Sequence, residues 1–523
     1  MMPIVTFRRS IVAIVSIASI AHPVPASAAK APRAKAVEFQ EKVIYHSPEN
    51  PGFAAWVQLW QEPGGDLGVK FLQRRKPGAG EHLQPPPLYL HRWDALGLPV
   101  KYDFSDLVSE TISMRSKDGA ATWSETVRST EVELNQGADS GCMSPIALPD
   151  GRMLSVSWGM PGCLRESVDG GKTWRRLHDL MDPAFYDVAP FSIRLLSDNK
   201  TLVIFCPFAK AWGPGKPIAG RLHTRPGGKS QFIAALIFST DFGKTLGPAI
   251  PIYPNLPVTE TDFVELPSGD LLFIHAGLFA NGKAHRQIVR KTTRGWVPEE
   301  MEEVGSAAPE IFVRTSSGYL VGASRNAPYV WSEDDGMTWQ PVEDIPRGEY
   351  QPRALLLKDG RIIFAWHKGG DLPYGQADQY IGQHTFKLQV AEPRPRSQLK
   401  LTRAFDAKRQ KYICAFDALL TTTDGKPIAG KAVEFSIVAR DAAGYEPFGG
   451  AMPWVQGAKQ TVTTDANGVA RVSYPEQEAI TDIHRTFQIA ARFDPQREDA
   501  QYLPSTSLTI EYYAMTPTGK TQP

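Results

Sequence analysis

Residues Ser144–Trp158 read SPIALPDGRMLSVSW, and Ser167–Trp174 follow as SVDGGKTW. The first run sets two short apolar stretches either side of Pro149-Asp150-Gly151. Asp and Gly tolerate the left-handed backbone that a tight hairpin needs, so the run predicts two antiparallel strands. The second run has the spacing S-x-D-x-G-x-T-W. Its carboxylate can accept the N–H groups of a turn, its glycine can take a positive φ, and its tryptophan can pack between sheets. One copy of either pattern would say little.

Both recur. The hairpin pattern returns as Val57–Phe71 (VQLWQEPGGDLGVKF), Ser192–Cys206 (SIRLLSDNKTLVIFC), Asp262–Ala276 (DFVELPSGDLLFIHA), Glu310–Ser324 (EIFVRTSSGYLVGAS) and Arg353–His367 (RALLLKDGRIIFAWH). The stapled turn, or Asp-box, is complete again at Ser332–Trp339, has alanine for glycine at Ser116–Trp123, and ends in leucine at Ser239–Leu246. The fourth unit keeps only Arg294-Gly295-Trp296. Two hairpin strands plus two strands around the box make a four-stranded unit, and six units predict an all-β chain closed as a six-bladed β-propeller. Alternation within the strands is incomplete, as expected where both faces are covered. The sixth unit ends at Ile381–Leu388 without an outer strand, and Lys42–Ser47 is placed to supply it.

After Pro393-Arg394-Pro395 the repeat stops. Short strands with turns such as Thr463-Thr464-Asp465-Ala466-Asn467-Gly468, and the run Gly425-Lys426-Pro427-Ile428-Ala429-Gly430, resemble bacterial immunoglobulin-like domains. The expected division is a signal peptide over 1–28, a propeller over 29–392, a small Ig-like β-sandwich over 393–515 and a disordered tail over 516–523. The signal peptide rests on Arg8-Arg9, the apolar run Ile11–Ala21 and the small-residue site Ala26-Ser27-Ala28. It implies a secreted or periplasmic protein with no membrane insertion after cleavage, because the apolar run is too short to span a bilayer.

Lys and Arg total 57 against 56 Asp and Glu, so no global field favours nucleic acid as a partner. Four cysteines make no disulfide scaffold, although Cys142 and Cys163 flank one hairpin and can pair in an oxidising compartment. No metal-ligand spacing, P-loop or GxSxG elbow appears, so no cofactor is expected; a structural Ca²⁺ is compatible with the ring.

In a propeller the side chains before each first strand, and after each second one, converge at one end of the axial tunnel. The entry positions are Asp139, Asp187, Glu260, Glu310 and Tyr350; the loop positions include Arg74, Arg75, Glu81, His275, His285, Arg325, His367 and Asp371. His275 beside the tunnel is a candidate base or substrate contact.

The Asp-boxes and six-unit count resemble the sialidase (neuraminidase) superfamily over about Lys42 to Gln389. That resemblance implies a sialidase-like propeller that cleaves a terminal acidic sugar from a glycan. A tyrosine nucleophile activated by a glutamate, a separate aspartate acid/base and three carboxylate-binding arginines would do the work. Position by position it selects Tyr350 and Glu260 as the catalytic pair, Arg325 and Arg74 as anion-binding arginines, and Asp139 as a substrate-binding aspartate. Tyr350 lies one residue further from Asp359-Gly360 than the pattern asks. The pattern's first arginine is replaced by Phe53-Ala54-Ala55-Trp56 and its second by His275-Ala276, so sialic acid itself is not specified. Glu81, Asp94, Asp103 and Asp106 all remain open as the acid/base. Two other functions fit the same residues. One is β-elimination from a uronate polysaccharide, with His275, His285 or Tyr350 as base and Arg325 as neutraliser. The other is a non-catalytic glycan-binding propeller.

Overall fold

The computed structural model describes residues 33–49, 51–81, 107–129, 144–157, 162–180, 187–188, 190–209, 232–254, 261–275, 284–292, 295–299, 301–305, 307–368, 379–391, 394–406, 411–441, 454–473, 485–493, 502, 505–507 and 510–513. Every regular element among them is a β-strand. No helix among them is long and apolar enough to cross a membrane.

The six hairpins each open a separate antiparallel sheet. The first strands are Pro51–Gln61, Ile146–Ala147, Ser192–Leu195, Asp262–Glu265, Ile311–Arg314 and Tyr350–Leu356. Each pairs with the strand after its turn; Ile311, for example, lies opposite Ala323, and Asp262 opposite Ile274. The turns need a left-handed residue, supplied by Gly360 (φ 83°) in sheet six and by Asn199 (φ 51°) in sheet three. Sheet six takes its outer strand from the N-terminus. Ala34–His46 pairs with Tyr380–Val390, so the closing strand starts eight residues before the expected Lys42.

The sheets pack on one another in chain order through apolar clusters. Sheets two and three share Leu154, Leu164, Ile204 and Ile237; sheets three and four share Phe205, Leu236, Phe263 and Phe273. Sheets four and five share Leu272, Ile274, Phe312 and Trp339, and sheets five and six share Tyr329, Trp331, Phe364 and Phe386. Ile363 and Ile381 of sheet six then pack on Val57, Val69 and Ile112 of sheet one. Burial on both faces explains why these strands read as unbroken apolar runs: Leu271–His275 and Ile362–His367 are buried at every position.

The Asp-boxes sit between the third and fourth strands. Asp169 accepts from the backbone N of Lys172 (3.0 Å) and Thr173 (2.9 Å) and from the Thr173 hydroxyl (2.6 Å). These donors hold its carboxyl down at about 2, and the same bonds do so at Asp118 and Asp241. Trp339 closes its own box by donating Nε1–H to the Gly336 carbonyl (3.0 Å) and wedges between sheets four and five.

The C-terminal region forms two further sheets. Ser397–Asp406, Lys411–Thr422 and Val469–Ser473 make one; Trp454–Thr463, Ala432–Asp441 and Arg485–Phe493 make the other, with Ser505–Thr506 and Ile510–Tyr513 beside its last strand. Phe416, Leu420, Val433, Phe435 and Ile489 form a core common to both. This unit rests on the turn side of sheets four and five. Arg492 reaches Glu302 (3.2 Å), Arg394 pairs with Glu333 (2.6 Å), and Arg396 Nε donates to the Ser317 carbonyl (2.8 Å).

Candidate functional site

The first strands of all six sheets line one cavity of about 300 Å³. Trp60 and Gln61 come from sheet one, Ile146 and Ala147 from sheet two, and Ser192 to Leu195 from sheet three. Thr261 and Asp262 come from sheet four, Glu310, Ile311 and Arg325 from sheet five, and Gln351 to Leu355 from sheet six. Residues up to about 300 positions apart thus share one hollow, and the charged ones are Arg194, Asp262, Glu310, Arg325 and Arg353.

Arg325 lines this cavity, and Tyr350, next in chain to the lining residue Gln351, packs against Arg325 from outside the lining. The Arg325 guanidinium carbon lies 5.3 Å from the centre of the Tyr350 ring, and its Nε is 3.8 Å from Glu310 Oε2. Glu310 is oriented by its own backbone, whose N–H donates to Ser324 Oγ (3.1 Å). Tyr350 also contacts His367, whose ring meets it edge-on at 5.1 Å, and His367 Nδ1 in turn accepts the Trp56 N–H (3.4 Å).

Backbone strain collects at the same place. Between Tyr350 and Arg353 the strand gains one residue on its partner, and Gln351 in that bulge takes φ 45°. The adjacent first strand of sheet one bulges between Ala55 and Gln58, with Trp56 at φ 57°. A left-handed glutamine and tryptophan each cost about 1 kcal/mol or more, and such strain clusters at functional sites. The bulge also accounts for the extra residue between Tyr350 and Asp359-Gly360: it is absorbed before the turn, so Tyr350 stays opposite His367 at the strand's entry.

Asp262 is deeper. Its Oδ1 is 2.5 Å from Arg194 Nη2 and also accepts its neighbour's N–H, that of Phe263 (2.9 Å). Arg194 lies over the Phe263 ring at 5.5 Å.

Of the other residues singled out from sequence, His275 stands one layer back. It is fully buried, its Nδ1 is 3.4 Å from Thr261 Oγ1, and its Nε2 is 3.0 Å from Gln287 Oε1. Gln287 donates both amide hydrogens, to the carbonyls of Ile252 (2.8 Å) and Glu299 (2.9 Å), so its oxygen faces His275. His275 therefore donates from Nε2 and accepts the Thr261 hydroxyl at Nδ1. Desolvation lowers its pKa to about 4, so the ring is neutral and reaches the cavity only through Thr261.

Arg74 is buried at the end of its strand, opposite Phe53, with its guanidinium on the Ser109 hydroxyl; it does not line the cavity. Glu260 and Asp139 lie outside the described residues, as does Cys142. Among the acid/base candidates only Glu81 is described. Arg75 grips it through two 2.7 Å bonds that hold its carboxyl down at about 2, which makes it an anion and a poor general acid. Asp94, Asp103 and Asp106 lie outside the described residues. Among the described residues no group of three or more His, Cys, Asp or Glu is arranged to hold a metal ion.

Arg194, Asp262 and Arg353 escaped selection from sequence. The signal was a charged residue inside a first strand that is otherwise apolar, as in Ser192-Ile193-Arg194-Leu195.

No protein-family model matches the sequence, and no curated protein matches it. Comparison with solved structures gives matches at low identity. One is a protein of unknown function from Dyadobacter fermentans, 16% identical, covering 68% of this chain and 99% of its own, with a TM-score of 0.44. An α-L-arabinofuranosidase from Fusarium graminearum is 12% identical over 67% of this chain and 98% of its own, with a TM-score of 0.42. A sialidase from Trypanosoma rangeli is 10% identical over 93% of each chain, with a TM-score of 0.36.

Proposed function

We propose that the chain is an exported, sialidase-like exo-glycosidase that hydrolyses a terminal acidic or unusual sugar of a glycan. Its six sheets are read as the blades of a closed propeller over 29–392, and 393–515 as an immunoglobulin-like sandwich. One observation carries the reading: Arg325 and Glu310 line a cavity shared by six first strands, and the Tyr350 ring packs against Arg325 next to it.

In this reading the sugar's anionic group binds Arg325, whose planar fork suits a carboxylate. Tyr350 attacks the anomeric carbon, Glu260 takes the phenol proton, and the glycosidic oxygen leaves with a proton from an acid. Water then cleaves the glycosyl–tyrosine bond on the same face, so configuration is retained. A neutral phenol is a better partner than a carboxylate for an anomeric carbon whose substituent is itself an anionic carboxylate. The strained bulge at Gln351 and the His367 contact keep Tyr350 in one orientation, which lowers the ordering cost of attack.

The test is a screen of the mature protein on sialosides, other acidic glycosides and uronate polysaccharides, with products followed by proton NMR. A reducing sugar released with retention, and lost in Tyr350→Phe, supports the proposal. An unsaturated, ultraviolet-absorbing product would replace hydrolysis by elimination. Tight binding without turnover, unchanged in Glu260→Gln, would leave a binding protein.

A further inference from the structure

A second hollow lies away from the cavity of the first strands. A cleft of about 490 Å³ lies between the turn side of sheets four and five and the first C-terminal sheet. Its charges do not cancel. Arg314, Arg396 and Lys400 line it, and none of the three has a carboxylate within 4 Å among the described residues. Arg396 spends its donors on the neutral carbonyls of Ser316 (3.1 Å) and Ser317 (2.8 Å). Arg314 is half-buried, and its Nε is enclosed without any hydrogen-bond partner. Of the two acids in the lining, Glu333 is already bound by Arg394 (2.6 Å), which lies outside the cleft. Asp335, half-buried, is the one acid left in the lining, and its charge is shared among Arg314, Arg286 and Arg492, which leaves Arg396 and Lys400 unbalanced.

A concave site with three cations and an unmet guanidinium N–H is incomplete without an anion. The remaining lining says which kind. Thr421 and Thr423 offer hydroxyls, and Leu419, exposed, offers an apolar patch. That mixture suits the alternating C–H faces and hydroxyls of a sugar better than a bare inorganic ion. We infer that this cleft binds an acidic oligosaccharide, its carboxylate or sulfate held by Arg314, Arg396 and Lys400. The cleft shares no lining residue with the cavity of the first strands, although Arg314 also lines a smaller hollow with Arg194 and Leu355 of that cavity, and binding here does not depend on the reaction proposed there. It would hold the enzyme on an acidic glycan while the C-terminal unit forms one wall.

The experiment is isothermal titration of the full mature chain carrying Arg325→Ala, which removes the axial anion contact. The probes are tetragalacturonate, maltotetraose and inorganic phosphate. Tetragalacturonate is expected to bind at one site, with maltotetraose and phosphate each at least about 10-fold weaker. Lys400→Glu, at an exposed position, is expected to weaken tetragalacturonate about 10-fold with an unchanged melting temperature, and Arg314→Gln to weaken it further. Equal binding of maltotetraose, phosphate binding as tight as the oligosaccharide, or unaltered affinity in Lys400→Glu would each overturn the inference. Loss of turnover on every glycoside would refute the axial proposal without touching this one.

Discussion

His275 gives a stability prediction that can be worked through from the structure. Its ring is enclosed between Phe273, Thr261 and Gln287, and its pKa falls from 6.5 to about 4 because a charged imidazolium there would lose its water. The unfolded chain takes up a proton below pH 6.5, and the folded chain refuses it until about pH 4. Stability therefore drops as pH falls from about 6.5 to about 4, and the loss levels off below that. The gap between the two pKa values corresponds to about 3 kcal/mol at full development. The assay is urea unfolding followed by tryptophan fluorescence at half-unit steps from pH 4 to 8, for wild type and His275→Gln. Glutamine can keep one hydrogen bond but cannot titrate, so the variant should start less stable at pH 8 and show a flatter profile below pH 6.5. Parallel profiles for the two proteins would refute the buried neutral ring.

Three further outcomes follow from particular contacts. Asp270 is fully buried and accepts from Arg290 Nη1 (2.9 Å), the Lys291 N–H (2.9 Å) and Ser268 Oγ (2.8 Å); Asp270→Ala leaves Arg290 with Glu299 as its remaining carboxylate and unpairs the Lys291 N–H, and should cost about 1–3 kcal/mol by denaturant midpoint. Asp169→Asn removes a carboxylate whose folded pKa lies near 2, so stability present above pH 4 should no longer fall away between about pH 4 and pH 2, which acid titration of circular dichroism would read as a shallower acid limb. Gly68 faces the Trp60 indole so closely that a Cβ would sit 2.2 Å from it; Gly68→Ala should displace Trp60 from the cavity wall, destabilise by about 1–3 kcal/mol and raise KM more than it lowers kcat.

What could be read beforehand followed from local rules. Hairpins such as Arg353–His367 announce themselves because a turn needs Asp-Gly and because strands covered on both faces must be apolar throughout. The Asp-box spacing is equally local, since Asp169 bonds groups two to four residues away. Even the outer strand of sheet six was legible, because a sheet with a missing strand and an unused N-terminal run imply each other. The site was harder. Tyr350 and Arg325 came from a likeness of pattern, and the bulge that reconciles Tyr350 with its turn is set by partner register, which no single strand encodes. His275 was seen as a group at the tunnel, yet it faces Gln287 and meets the cavity through a threonine. Side-chain direction at a strand's last residue depends on the neighbouring sheet. Arg194 and Asp262 form a pair 68 positions apart in sequence, and a charge within an apolar strand says nothing by itself about where its partner is.

The most direct measurement is a crystal structure of the Tyr350→Phe variant soaked with an acidic glycoside that the wild type cleaves. The sugar is expected in the axial cavity, its anionic group on Arg325 and its anomeric carbon over the position-350 ring. A sugar bound elsewhere on the surface with the axial cavity empty, or with its anionic group turned away from Arg325, would contradict the assignment.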